Sequence, residues 1–187
     1  DQTASPEYCA ADILARAEHA PDAAGVLVTD SEDLAEKTKK SIERQVKSLS
    51  RKEIILKSLK MYSCIVLLDS IEEAVDFTND YAPEHLEVIT KDPFADLEKI
   101  QNAGSIFLGE YAPVAVGDYA SGTNHILPTG FWTKFSSAVG VETFQKRSEV
   151  QYLTKQGLKN LSGIVKEISR VEKLDAHWNS LSIRLKK

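Results

Sequence analysis

Cys64-Ile65-Val66-Leu67-Leu68 is an unbroken apolar run bounded by Ser63 and Asp69. A short continuous run of this kind is the pattern of a strand covered on both faces, as in a parallel sheet. Asp69 or Ser70 then caps a helix that carries Ile71, Ala74, Val75 and Phe77. Leu86 to Thr90 reads as the next strand, Asp92-Pro93 opens a helix ending near Gln101, and Gly104 to Leu108 returns as a strand. On the N-terminal side, Ser5-Pro6 starts a helix to about His19, with Ala10, Ile13, Leu14 and Ala17 as its apolar stripe. Gly25 to Thr29 is a strand. Ser31 to about Leu49 is a helix with Leu34, Thr38, Ile42 and Val46 on one face, and Arg51 to Leu59 is a shorter one. Strands and helices that alternate with short links predict an α/β fold: a partial, mainly parallel sheet of four strands flanked by helices.

The texture changes after Leu108. Five glycines and two prolines fall between Gly109 and Gly140, so this stretch is expected to be an ordered loop, and loops of that length tend to be functional. Ser148 to Lys155 and Leu161 to about Leu174 read as helices, the second with Ile164, Val165, Ile168 and Val171 on its apolar side. Asp175 to Lys187 is a tail in which Leu181, Ile183 and Leu185 alternate as in a strand. The expected organisation is an α/β region over residues 1–140 and a helical linker with a C-terminal tail over 141–187. That appendage is free to pack on a partner subunit.

Composition narrows the classes. The 187 residues are enough to bury a core without disulfides. The net charge is −5, and basic residues are interleaved with acidic ones, so no basic face for nucleic acid is expected. No stretch approaches a membrane span. Cys9 and Cys64 lack CxxC spacing and read as buried, unreactive thiols of a reducing compartment. The opening Asp1-Gln2-Thr3 lacks the basic start and apolar core of a secretion signal, and a cytoplasmic protein is expected.

Histidine serves near neutral pH as base, acid or metal ligand, and there are only four. Tyr81-Ala82-Pro83-Glu84-His85 sets two proton-transfer groups side by side where a loop meets a strand. Glu84 facing solvent and His85 packed on the preceding helix is the alternative. Gly117-Asp118-Tyr119-Ala120-Ser121-Gly122-Thr123-Asn124-His125 offers an acid and a histidine that could bind a metal or a polar ligand, or form an Asx-type turn with a surface histidine. It is not a phosphate loop, because the Gly-rich fingerprint and its lysine are absent. His19 sits at a helix end as ligand or C-terminal cap. Glu172 and His177 flank the junction of the last helix and the tail, and alone they point to nothing.

Together these segments resemble the C-terminal part of histidinol dehydrogenase, over essentially all 187 residues. The resemblance rests on Ala17-Glu18-His19, Tyr81 to Leu86, Ala103 to Gly109, Gly117 to Pro128, Phe144-Gln145-Lys146-Arg147 and Glu172 to His177. It implies a zinc- and NAD-dependent homodimer that oxidises L-histidinol through the aldehyde to L-histidine. It implies an incomplete Rossmann-like domain. By the same resemblance Glu84 and His85 are the catalytic acid–base pair, and His125 and Glu172 hold substrate. His19, Asp118 and His177 are metal ligands, with Glu172 and His177 lent by the partner subunit.

Two departures accompany it. The family places a zinc-binding glutamine where this chain has Arg16, and arginine has no acceptor atom and stays protonated. The family's full chain is also more than twice as long, so this chain is expected to begin just after a central strand. Its NAD-contacting part is expected in the missing N-terminal portion, and the chain alone is expected to be inactive. A non-catalytic dimerisation or structural module derived from the fold is the alternative function.

Overall fold

The apolar runs are strands, and they pair two by two. The computed structural model describes residues 1–186. Strand β1 (Val26–Thr29) lies parallel to β2 (Cys64–Leu67), with Val26 opposite Cys64. Strand β3 (His85–Val88) lies parallel to β4 (Ser105–Leu108), with His85 opposite Ser105. The expected four-stranded sheet is therefore two separate two-stranded sheets among the described residues. Parallel strands need crossovers, and helices supply them. Helix α1 (Pro6–Ala17) precedes β1; α2 (Glu32–Gln45) and α3 (Lys52–Met61) lie between β1 and β2; α4 (Ile71–Tyr81) and α5 (Pro93–Leu97) precede β3 and β4. The fold is α/β.

The caps explain where several helices start. Ser31 Oγ accepts the Leu34 amide, Ser70 Oγ accepts that of Glu73, and Asp92 Oδ1 accepts that of Ala95. Ser5 makes no such side-chain bond; Pro6, with φ preset for a helix, marks that start. Helix α5 stops at Leu97, well short of Gln101.

Residues 1–144 form one compact unit and residues 145–187 another. In the first, Leu14 and Ala17 of α1 pack with Val46 and with Ile55 of α3, joined by Ile42, Leu49 and Leu59. Leu14 and Ile55 are fully buried, and each such side chain contributes about 1.5–3 kcal/mol. A second cluster joins Ala4, Cys9 and Leu34 to Leu27 and Ile89. Strand β2 corrects one expectation. Cys64 and Leu67, the two end residues of this strand, are exposed, and the strand is bonded on one side only. Cys64 is thus not the buried thiol expected, whereas Cys9 is buried and its thiol is pushed up to about 11, first by burial.

The expected loop after Leu108 contains a helix, α6 (Val114–Tyr119), set off by Pro113 in an extended conformation. In the second unit, Ser148 to Thr154 is irregular rather than helical. Thr154 Oγ1 accepts the Gly157 amide and starts α7 (Lys155–Glu172). The expected terminal strand is also a helix, α8 (Asp175–Leu185). Trp178, Leu181 and Leu185 recur at helical spacing, and the buried Leu181 belongs to this set as well as to the alternating one. No helix of the described residues is long and apolar enough to cross a membrane.

Candidate active site

Helix α4 ends on Ala82 in the left-handed conformation (φ 52°), which turns the chain sharply into Pro83-Glu84-His85. The start of β4 pins that turn. The Gly104 amide donates to the Pro83 carbonyl and the Ser105 amide to the Glu84 carbonyl, both at 3.0 Å. Gly104 is required there, since a Cβ would stand 2.5 Å from the Glu84 carbonyl oxygen. Backbone cannot give way as a side-chain tip can. Gly104→Ala is therefore expected to cost about 1–3 kcal/mol, read as a lower urea midpoint at unchanged slope. A midpoint equal to that of the parent would show that the turn is not pinned in this way.

Strand β3 alternates, so His85 and Glu87 project to one side. His85 is 12 % exposed, and its ring stacks on Phe107 of β4 with centroids 6.1 Å apart. A Cβ on Gly117 would collide with the Phe107 ring, so glycine at that position lets α6 lie against it. Glu87 Oε1 accepts the Val114 amide at 2.9 Å and fixes the start of the same helix. The end of α6 then delivers Asp118, whose Oδ1 stands 3.6 Å from His85 Nε2. On the other side of the ring, Glu84 Oε1 stands 3.6 Å from His85 Nδ1.

Both separations exceed hydrogen-bond length, and both buried ring nitrogens lack a partner. Burial lowers the His85 pKa, against the pull of the Glu84 and Asp118 carboxylates, and Arg16 lowers it further. A neutral imidazole with a free lone pair between two carboxylates can accept a proton from a third group placed in the cavity.

Glu84 has one more partner. Arg16 Nη2, from the last turn of α1, donates to Glu84 Oε2 at 3.1 Å. His19 follows one turn later as an exposed residue beyond the end of α1. Arg16, His19, Glu84, His85, Asp118 and His125 all line one cavity of about 1160 Å³ in the first unit. Five of the seven expected site residues thus share one cavity. The other two belong to the second unit: Glu172 is the last residue of α7, and His177 lies in the first turn of α8.

A zinc ion needs a gathered set of neutral or anionic donors, commonly four. Among the described residues no group of three His, Cys, Asp or Glu side chains is gathered for a metal. In the first unit the expected donors are His19 and Asp118, and the position of a third holds a guanidinium turned to Glu84. That donor set does not fit a resident zinc ion.

Two residues went unnoticed in the sequence. Glu87 meets Asp12 of α1. Burial, then the Asp12 charge, pushes the Glu87 carboxyl up to about 8, so that Glu87 is the acid of the pair that keeps a proton. The signal was available as an acid inside an apolar strand and an acid between Cys9 and Ile13 on α1.

The histidinol dehydrogenase family model matches residues 1–185. Histidinol dehydrogenase of Methanothermobacter thermautotrophicus is 53% identical over 186 residues, covering 100% of this chain and 44% of that protein. That of Methanocaldococcus jannaschii is 48% identical over 186 residues, with 100% and 43% covered. The crystal structure of histidinol dehydrogenase from Elizabethkingia anophelis superposes with a TM-score of 0.93 at 40% identity, covering 100% of this chain and 43% of that one. The chain therefore spans less than half the length of the relatives it matches. Its match over almost every residue, in sequence and in fold, makes it a member of the histidinol dehydrogenase family.

Proposed function

We propose that this chain is the C-terminal catalytic portion of an enzyme that oxidises L-histidinol through the aldehyde to L-histidine in histidine biosynthesis. The observation that carries the proposal is His85: both its ring nitrogens are buried and unpartnered, 3.6 Å from Glu84 on one side and 3.6 Å from Asp118 on the other. His85 takes the proton of the carbinol hydroxyl as the carbon loses hydride. Glu84, turned toward His85 and held by Arg16, takes a proton from the water that attacks the aldehyde. His125 and Glu172 hold the substrate, Glu172 from a second subunit. NAD, when bound, accepts the hydride. This chain has no Gly-rich phosphate-binding loop, so the cofactor belongs to the rest of the enzyme.

His19, Asp118 and His177 are the metal ligands that the family resemblance suggests, with His177 lent by a second subunit. The donors of the first unit fall short of a zinc shell, and the proton transfers above run through Glu84 and His85 alone. The free thiols Cys9 and Cys64 suit a cytoplasmic enzyme.

Two features favour the partners. Val26 to Val28 of β1 and Leu86 to Val88 of β3 line the same cavity, and each strand is bonded on one side only. Two-stranded sheets are marginal alone. A strand from the remaining family sequence that pairs with these open edges would join the two sheets. The second feature lies on α7, where Ile164, Ile168 and Val171 form an exposed apolar stripe suited to a second copy of the chain.

The test mixes this chain with the separately expressed remainder of a family enzyme and follows NAD reduction with histidinol. Activity absent from either part and present in the mixture is expected. A complex that forms without turnover would make the chain a structural module and refute the catalytic proposal.

A further inference from the structure

The cavity wall carries one group that proton transfer to His85 does not use, the guanidinium of Arg16. Its position is defined. Arg16 lies in the last turn of α1, its side chain is 36 % exposed, and Nη2 is 3.1 Å from Glu84 Oε2. Glu84 is 21 % exposed and stands 3.6 Å from His85 Nδ1 through its other oxygen. Arg16, Glu84, His85 and Asp118 therefore form a row of alternating partners along the cavity, and the cation of that row is built into the chain. His19 and Asp118, the two in-chain metal ligands that the family resemblance suggests, line the same cavity. His19 follows Arg16 by one turn, and its amide donates to the Arg16 carbonyl at 3.3 Å. A divalent ion between His19 and Asp118 would face a permanent positive charge on that wall, and among the described residues no third His, Cys, Asp or Glu is gathered with them for a metal.

We propose that the Arg16–Glu84 ion pair stands in place of a resident metal ion in this chain, so that Arg16 orients Glu84 and His19 and Asp118 do not take up zinc. This rests on assigning the cavity to the dehydrogenase. It differs from that assignment in its test, which uses neither histidinol nor NAD. Arg16 acts here as a positioning residue, and it works through charge as well as through the hydrogen bond. Lysine at this position would keep the charge. Glutamine would remove it and add a carbonyl oxygen able to bind a metal.

The experiment titrates the metal-free 187-residue chain with zinc against a chromophoric chelator. Arg16→Gln, Arg16→Lys and the double variant Arg16→Gln/Asp118→Asn are titrated alongside, and circular dichroism confirms that each retains its helices. Arg16→Gln is expected to bind zinc at least about tenfold more tightly than the parent, because a repelling charge becomes a donor. Arg16→Lys should stay with the parent, and Asp118→Asn should abolish the gain. Parent protein that binds one zinc as tightly as Arg16→Gln would overturn the proposal. So would a gain that survives Asp118→Asn, since the ion would then be held elsewhere. Failure of the mixed enzyme to oxidise histidinol would leave these zinc affinities unchanged, which separates the two claims.

Discussion

Replacing His85 by glutamine is expected to lower histidinol-dependent NAD reduction about 10²–10⁴-fold in the enzyme assembled from this chain and the remaining family sequence, the usual worth of a placed acid–base group. The expectation follows from the burial of the ring. An imidazole whose nitrogens were already bonded would have to give up a bond before accepting a proton, and His85 has none to give up. Its neighbours hold it in place without occupying it: Phe107 stacks on the ring, and Glu84 and Asp118 stand just outside bonding range. Burial lowers its pKa, which favours the neutral ring with a free nitrogen able to accept a proton. Glutamine keeps an amide near the carboxylates but has no basic nitrogen. The rate should fall while the thermal midpoint of the chain changes little. An unchanged rate would remove His85 from the chemistry, and a rate that falls only in step with unfolding would make it a packing residue.

Much of this arrangement was legible as pattern. The apolar runs at Val26, Cys64, Leu86 and Ser105 are strands because short buried segments between turn residues have few other uses. Ser31 and Ser70 mark helix starts because a hydroxyl there satisfies an amide that the helix leaves free. Spacing says less about partners. Four strands in order do not reveal that β1 pairs with β2 and β3 with β4, with no pairing between the two sets among the described residues. The tail was ambiguous because Leu181 and Leu185 fit both the two-residue and the helical period, and packing decided for the helix. Residues 148–154 carry apolar side chains without a helix start. The cap at Thr154 belongs to the next element.

In the site, the pair Glu84-His85 and the Gly117-Asp118 segment stood out because acid, histidine and glycine fall together within short motifs. Glu87 did not, since a single acid in a strand reads as a solvent-facing residue until its partner is seen across α1. Asp12 and Arg16 lie four residues apart on one face of that helix. Arg16 meets Glu84 and Asp12 meets Glu87, so two polar rungs join α1 to β3 and to the turn before it.

The upper rung carries a bound proton, and stability should depend on it. An ordinary glutamate has a pKa near 4.5, whereas burial first, and the Asp12 charge next, raise Glu87 to about 8 in the fold. Asp12 is raised as well, chiefly by burial, and Cys9 beside the pair stays a neutral thiol. Between those two Glu87 values the folded chain keeps a proton that the unfolded chain has released. Stability is therefore full below the unfolded value and declines as pH rises through the folded one, by at most about 1.4 kcal/mol per pH unit for one proton. Once Glu87 ionises, two carboxylates face each other across a largely buried contact, and their repulsion pushes α1 away from β3. Glu87→Gln imitates the protonated acid: its amide can donate to Asp12 while its carbonyl accepts the Val114 amide that starts α6. Unfolding free energies of the two proteins from urea titration should agree within about 1 kcal/mol at about pH 5 and separate by more than that at about pH 8, with the glutamine variant the more stable. Parallel pH profiles would mean that the proton does not reside on Glu87. A variant less stable than the parent at about pH 8 would mean that the charged pair holds α1 to β3 better than a neutral one.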